Sequence, residues 1–307
     1  MLLYLADANS YIMKNFTAEF TGQLENIIHQ KTGAKSSIYE ITEVAGGSIN
    51  DVFRLQTAAG FFILKLNNAQ QFPKMFECEA EGLEAIRETK TVAVPEVFTT
   101  GHIGYNSFLL MEYLETGTKT IASMQLLGSQ LAQMHRNTSP DFGFEKDNYM
   151  GSLSQSNRKH NTWKSFFTEE RLKPMVKLAF DASFIDQKLV SDFEKLYQKL
   201  GELFEEEKPS LIHGDLWSGN YLISSAGKPY LIDPAVSYGF REFDLAMTHL
   251  FGGFSADFYQ AYQEAFPLHS DWQQRVDLWN LYPLLLHLNL FGLSYLGQVK
   301  VGLKKFI

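Results

Sequence analysis

Three polar side chains in the second half of the sequence have types and a spacing that suit phosphoryl transfer. Asp215 and Asn220 lie five positions apart in a loop after a short apolar segment, and Asp233 follows another apolar segment thirteen positions later. One carboxylate could orient and deprotonate an attacking hydroxyl group. A second carboxylate and an amide oxygen could hold Mg²⁺ on nucleotide phosphates, because magnesium prefers hard oxygen ligands. A single loop aspartate more often caps a turn or helix, but three such groups at this spacing favour a catalytic site.

The residues around Asp215 extend this pattern. His213, Asp215 and Asn220 match the H-x-D-x-x-x-x-N spacing of the protein-kinase catalytic loop. His213 and His135 could each act as a general base, since histidine titrates near neutral pH. We interpret both as structural instead: His213 organises its loop, and His135 is a hydrogen-bonded core residue on the helix face of Leu131.

A site of this kind also needs phosphate-binding groups in the first half of the chain. Gly46, Gly47 and Ser48 form a turn between the first two predicted strands, although the turn lacks the G-x-G-x-x-G pattern and suits a plain hairpin equally well. Lys65 is the one charge in the apolar strand segment 61–66. It could bind phosphates, or it could extend from a sheet edge into solvent.

Glu79 is the expected acidic partner of Lys65. In the helix predicted from 74 to 88, Glu79 shares the inward face with Phe76 and Leu83. A charge on an inward face usually has a partner. The alternative is that Glu79 lies at the edge of the apolar stripe.

The hydrophobic pattern predicts an α+β fold with two parts. The first, 1–113, contains a helix over 17–31, five antiparallel strands within 37–66 and 96–113, and the helix over 74–88. A hinge over 114–119 leads to a mainly helical part, 120–307. A long loop from 139 to 161 is a candidate binding segment, because loops of this length in compact domains are usually functional.

Composition excludes some classes of protein. The 307 residues carry a formal net charge of −8, from 27 basic and 35 acidic groups, which argues against a coat for nucleic acid or an anionic membrane. The apolar start lacks a basic segment before it and meets Asp7 early, so we expect no signal peptide. The late apolar segment 278–296 is interrupted by polar residues and a proline, so we expect no membrane span there. With a single cysteine, Cys78, the chain is expected to be cytoplasmic.

The whole chain resembles the fructosamine kinase (ketosamine 3-kinase) family, within the aminoglycoside phosphotransferase and choline kinase type of bilobal protein-kinase-like folds. The motifs that carry the resemblance are 46–50, 75–83, 108–112, 148–157, 163–172, 211–220, 232–236 and 241–248. Trp217 in the catalytic loop and the strings Asp-Pro-Ala and Arg-Glu-x-Asp-Leu-Ala-Met-Thr are the most specific to this family.

The resemblance implies ATP-dependent phosphorylation of O3 in ketoamines, the adducts that sugars form with amines, followed by release of the free amine. By motif, Asp215 would be the base, and Asn220 and Asp233 would bind Mg²⁺. Lys65 and Glu79 would form the phosphate-binding pair. The remaining nucleotide-binding residues implied are Gly46, Gly47 and Ser48 over the phosphates, and Met111, Glu112 and Tyr113 at the adenine.

The resemblance also implies supporting residues and substrate contacts. Asp244 and His213 would support the catalytic loop. The helical spacing of Trp163, Phe166 and Phe167 first indicates core residues, and a sugar contact by Trp217 or Trp163 is the secondary hypothesis that the resemblance suggests. Phe240 stands where a more polar residue is expected at the rim of the site.

Other activities remain open at the level of the sequence. A kinase for an aminoglycoside, choline or homoserine is the nearest, although the loop 139–161 is not notably acidic, as a site for a cationic acceptor would be. A nucleotide-binding pseudokinase would lack a member of the catalytic set, and none is missing. A zinc hydrolase would need more His or Cys ligands nearby.

Overall fold

The computed structural model describes residues 16–44 and 49–307. These residues group into two compact units. The first contains the described residues up to Glu77 together with Pro95–Leu114, and the second contains Cys78–Val94 and Glu115–Ile307. The predicted division at 1–113, 114–119 and 120–307 remains a prediction beside this grouping.

The first unit is built on a five-stranded antiparallel sheet. Its strands are β1 Ile38–Glu43, β2 Asp51–Thr57, β3 Gly60–Asn68, β4 Val97–Ile103 and β5 Asn106–Glu112, in the order β1-β2-β3-β5-β4. Helix α1, Ala18–Thr32, precedes the sheet, and helix α2, Met75–Glu88, begins in this unit after β3. The five strands and both helices predicted from the sequence are therefore present.

Apolar side chains from α1 and the sheet make the core of this unit. Thr17 begins α1 as its N-cap, because its hydroxyl accepts the backbone N–H of Phe20 at 3.2 Å. The buried residues of this core are Phe20, Leu24, Ile28, Phe53, Leu55, Phe62, Leu64, Leu66, Ile103, Phe108 and Leu110. Alternation along β2 and β3 places these strand residues on one sheet face, which α1 covers.

The second unit is mainly helical. Its helices are α3 Ile121–Met134, α4 Trp163–Phe166, α5 Lys173–Asp181, α6 Gln187–Lys199, α7 Glu242–Leu250, α8 Ala256–Ala265, α9 Val276–Trp279, α10 Leu281–Phe291 and α11 Leu296–Lys304. A π-helix, Phe167–Leu172, joins α4 to α5. Three short helical turns of the 3₁₀ type lie at Leu200–Glu202, Trp272–Arg275 and Leu293–Tyr295.

Short antiparallel strand pairs position the loops of this unit. They are β6 Asn148–Met150 with β7 Leu153–Gln155, β8 Ser210–Ile212 with β11 Ser237–Gly239, and β9 Tyr221–Ile223 with β10 Pro229–Leu231. The apolar segment near 278–296 forms α9 and α10 around Asn280. Within the described ranges, no helix is both long and apolar enough to cross a membrane.

An aromatic cluster lies at the centre of the second unit and includes Trp163 and Phe240. Trp163 is 1% exposed and stacks on Phe167 at a ring distance of 5.2 Å. Phe240 is also buried, with its ring 5.4 Å from that of Trp279. Packing seals both rings from solvent. For Trp163 this agrees with the core interpretation rather than with a sugar contact, and for Phe240 it places the side chain in the core rather than at the rim of the site.

Candidate active site

The predicted catalytic residues lie on two adjacent loops of the second unit. The loop after β8 contains His213–Asn220, and the loop after β10 contains Asp233. The N–H of Ile232 donates to the Asn220 carbonyl at 3.0 Å, and the N–H of Ala235 donates to the His213 carbonyl at 2.9 Å. These backbone hydrogen bonds fix one loop against the other, so the fold brings Asp215, Asn220 and Asp233 into one site.

The side chain of Asn220 is oriented by Asp215. Its amide nitrogen donates to the Asp215 main-chain carbonyl at 2.8 Å and to Asp215 Oδ2 at 3.0 Å. Both hydrogen bonds use the nitrogen, so they leave the amide oxygen of Asn220 to bind a cation. An amide oxygen with the carboxylate of Asp233 fits Mg²⁺, which takes its remaining ligands from water and phosphate.

Asp215 has the electrostatics of a general base. Burial, followed by the neighbouring Asp233 carboxylate, raises its pKa to about 7, while the hydrogen bond from Asn220 opposes the rise. A carboxylate with a pKa near neutrality can accept a proton from a hydroxyl group and still be ionised in a useful fraction of molecules.

Asp244 supports the catalytic loop through hydrogen bonds to its backbone. This residue of α7 is fully buried, and its two carboxylate oxygens accept the backbone N–H groups of His213 at 2.6 Å and Gly214 at 2.9 Å. His135 Nε2 lies 3.2 Å from Asp244 Oδ2, and His135 Nδ1 lies 2.8 Å from the Tyr262 hydroxyl. A buried carboxylate with three partners holds the backbone that presents Asp215.

His213 is placed as a neutral link between the two loops. Its Nε2 donates to the Ile232 carbonyl at 2.9 Å, so its Nδ1 is the ring atom that accepts the N–H of Asp215 at 3.2 Å. Burial lowers the pKa of His213, which agrees with a neutral ring. With both ring nitrogens used, His213 has no nitrogen left for a hydroxyl substrate.

Two residues of these loops have a left-handed backbone conformation. Gly214 has φ +81, and a Cβ there would lie 2.1 Å from the Ala235 carbonyl oxygen, so only glycine fits. Asp233 has φ 55, a left-handed conformation that is rare for residues other than glycine and is often found at functional sites.

The predicted nucleotide-binding residues are distributed over both units. Lys65 is buried at 3% exposure on β3, between Val52 of β2 and Leu109 of β5. Glu79 is half-buried on α2, in the part of that helix that belongs to the second unit. The pairing of Lys65 with Glu79 remains a prediction.

The expected adenine-binding segment ends β5. Met111 is buried, and the N–H of Glu112 donates to the Glu96 carbonyl at 2.8 Å. The ring of Tyr113 lies 5.6 Å from that of Phe61. The other nucleotide-binding residues predicted, Gly46, Gly47 and Ser48, lie outside the described residues.

The segment 139–161, predicted as a long loop, contains the β6–β7 pair and is held by a buried network that the sequence did not predict. Arg171, in the π-helix, donates to the Ser156 carbonyl at 2.6 Å and to Asn157 Oδ1 at 2.7 Å. Gln155 accepts the Tyr282 hydroxyl at 2.6 Å. Burial lowers the pKa of Arg171 to about 10, so the guanidinium remains charged at neutral pH. The loop is therefore anchored at consecutive residues.

Comparisons with known proteins agree with this site. The fructosamine kinase family model matches residues 21–307. A probable ketoamine kinase of Synechocystis sp. is 42% identical over 281 residues, which are 91% of this chain and 94% of that protein. The chloroplastic protein-ribulosamine 3-kinase of Arabidopsis thaliana is 40% identical over 268 residues, 86% of this chain and 81% of that protein.

Solved structures support the fold. One assigned as a fructosamine-3-kinase, from Thermobifida fusca, has a TM-score of 0.82 at 30% identity and covers 92% of this chain and 97% of that one. An aminoglycoside phosphotransferase has a TM-score of 0.60 at 14% identity, covering 93% of this chain and 99% of that one, and so shares the fold. The chain has the bilobal protein-kinase-like fold and, as its motifs predicted, belongs to the fructosamine kinase family.

Proposed function

We propose that this protein transfers the γ-phosphoryl group of ATP to the O3 hydroxyl of ketoamines of the fructosamine or ribulosamine type. Membership of the fructosamine kinase family makes it a nucleotide-dependent phosphotransferase that acts on a hydroxyl group. The observation that carries the assignment of the site is the Asp215–Asn220 pair, held beside Asp233 on two joined loops.

Each residue of the site has a distinct role in this proposal. Asp215 binds the acceptor hydroxyl, orients its oxygen toward the phosphorus, and takes its proton. Asn220 and Asp233 hold Mg²⁺, which when bound neutralises charge on the phosphates. Asp244 and His213 keep the loop backbone in place and touch no reacting atom. Most of the rate enhancement then comes from positioning and charge neutralisation.

Other residues complete the nucleotide site. In this proposal Lys65 and Glu79 bind the phosphates together with Gly46, Gly47 and Ser48, and backbone groups of Met111–Tyr113 bind the adenine. The burial of Lys65 in an apolar strand supports its part, because a buried ammonium needs a partner or a ligand. We place the protein in the cytoplasm, where ATP is available and a thiol such as that of Cys78 is expected to stay reduced.

Phosphorylation at O3 makes the ketoamine chemically unstable. In a ketoamine, C3 lies next to the C2 carbonyl, and enolisation toward C1 makes phosphate on C3 a leaving group. Loss of phosphate followed by hydrolysis of the resulting imine returns the free amine. The proposed outcome is therefore deglycation.

An ATP-consumption assay over a panel of acceptors tests the proposal. The panel contains fructose-, ribulose- and erythrulose-amines beside aminoglycosides and choline, each with and without Mg²⁺. We expect turnover with ketoamines only, and only when Mg²⁺ is present. Turnover confined to aminoglycosides or choline would replace the proposed acceptor, and ATP binding without phosphorylation of any acceptor would indicate a pseudokinase.

A further inference from the structure

A row of aromatic side chains begins on the catalytic loop and runs across the surface of the second unit. We call it the aromatic strip, and its members are Trp217, Phe251, His287, Phe291 and Tyr295. The ring centroids that contact one another within the strip lie between 5.1 and 6.4 Å apart, within the range of favourable aromatic contacts. Phe251 is 42% exposed and Phe291 is 52% exposed. The strip is therefore an apolar surface open to solvent.

The start of the strip is fixed rigidly to the catalytic loop. Phe251 follows the last residue of α7, and Gly253 packs so closely that a Cβ there would lie 2.3 Å from the Ser218 Cβ. Tyr221, just after the catalytic loop, donates its hydroxyl to the Gly253 carbonyl at 2.6 Å. The edge of the Trp217 ring meets Phe251 at an interplanar angle of 74°. The loop that contains Phe251 is therefore packed against the catalytic loop, and the two loops form one continuous surface.

The middle of the strip is also ordered. His287 Nδ1 donates to the Pro283 carbonyl at 2.7 Å, within α10, and its ring contacts three others, those of Phe251, Phe291 and Tyr295. Burial lowers the pKa of His287, so at neutral pH the ring is uncharged and adds to the apolar surface. Three exposed or half-exposed aromatic rings around one neutral ring form a surface that an apolar group can cover.

Ketoamine chemistry identifies what that group is. The amine of a ketoamine is attached at C1, two carbons from the C3 whose hydroxyl reacts at Asp215. The substituent on nitrogen, the aglycone, therefore begins close to the reacting oxygen, and Trp217 stands two residues from Asp215. The nitrogen itself is a protonated amine at neutral pH, which aromatic faces attract.

From this continuity we infer that the aromatic strip is the subsite for the aglycone, and that it selects ketoamines whose amine carries an apolar or aromatic side chain. The inference rests on the proposed ketoamine kinase activity and adds the part of the substrate that this activity leaves open. Phe251 and Phe291 are then specificity-determining residues, since they are the most exposed rings of the strip.

Paired acceptors test the subsite. The probes are the ribulose adducts of phenylalaninamide and of glycinamide, which share the sugar and the charge and differ by one benzyl group. With the full-length protein and Mg²⁺-ATP, we expect kcat/KM to be about tenfold higher for the phenylalaninamide adduct, because an aromatic side chain gains that much from partial burial. Phe251→Ala and Phe291→Ala should each bring the ratio of the two kcat/KM values to about two or below.

A matched control separates the subsite from a general effect of removing an exposed ring. Phe180 on α5 is 41% exposed and lines a different groove, between α5 and α6. Phe180→Ala should keep the wild-type ratio, and Phe291→Leu should keep part of it. A wild-type ratio near one, or a ratio that survives both strip variants, would overturn the subsite. If neither adduct is phosphorylated, the proposed function is overturned, and the subsite with it.

Discussion

The two ends of helix α7 contact the catalytic loop in opposite ways. Near its start, buried Asp244 accepts two backbone N–H groups of the loop. Just past its end, exposed Phe251 meets Trp217 in an edge-to-face ring contact. The buried end fixes the backbone that phosphoryl transfer needs, whereas the exposed end offers a surface that can change without disturbing it. The start of α7 thus supports the catalytic loop, and the residue after its end contributes to the selection of the acceptor.

Removing the base should have the largest effect. Asp215→Asn keeps the size of the side chain but cannot accept the proton, so we expect kcat to fall about 10³-fold. Initial rates at saturating ketoamine and ATP measure the loss, and an unchanged melting temperature checks that the fold is retained. Near-normal turnover would contradict the proposed role of Asp215.

Removing the buried support should lower stability as well as activity. Asp244→Ala leaves two backbone N–H groups and His135 without their acceptor, so we expect the free energy of unfolding to drop by about 3 kcal/mol. Urea unfolding measures the drop. The matched control is Glu264→Ala, an exposed carboxylate on α8, which should change stability by less than about 0.5 kcal/mol. Equal effects would mean that Asp244 does not support the loop.

A methyl group added to the catalytic loop should be the next most damaging change. Gly214→Ala combines a left-handed φ with a Cβ 2.1 Å from a carbonyl oxygen, so we expect a loss of about 2 to 3 kcal/mol. Gly227→Ala is its control, because Gly227 has φ +79 with no atom within 4 Å of the added Cβ. That control should lose only about 1 kcal/mol. Chemical denaturation of both variants gives the difference, and equal losses would show that the close approach to Ala235 is relieved at no cost.

The smallest effect on stability is expected at the exposed end of α7. Phe251→Ala removes a ring that is already 42% exposed, so the free energy of unfolding should fall by less than about 1 kcal/mol. Thermal unfolding beside Asp244→Ala makes the comparison direct. A loss as large as that of Asp244→Ala would mean that both ends of the helix are structural.

The first unit was predictable because its signals are local. Alternating apolar residues and a Thr17 cap specify strands and a helix before any tertiary contact is considered. The strand β11 escaped prediction because its three residues pair with β8, more than twenty positions earlier. A short strand of this kind is defined by its distant partner and has no pattern of its own.

The functional site was also predictable only in part. The types and spacing of Asp215, Asn220 and Asp233 were visible in the sequence, and the fold brings them together. Phe251 carried no signal, because its nearness to Trp217 depends on how α7 ends. The sequence left two interpretations of Trp163, because an aromatic residue in a family motif looks the same whether it binds a ligand or fills a core, and its burial favours the core.

The carboxylate of Asp244 has a consequence for how the loop opens. The amide protons of His213 and Gly214 are bonded to a side chain rather than to a neighbouring strand. Their exchange with deuterium therefore requires the loop to leave Asp244, whether or not the rest of the second unit unfolds. The exchange rates of these two protons therefore measure how often the catalytic loop separates from Asp244.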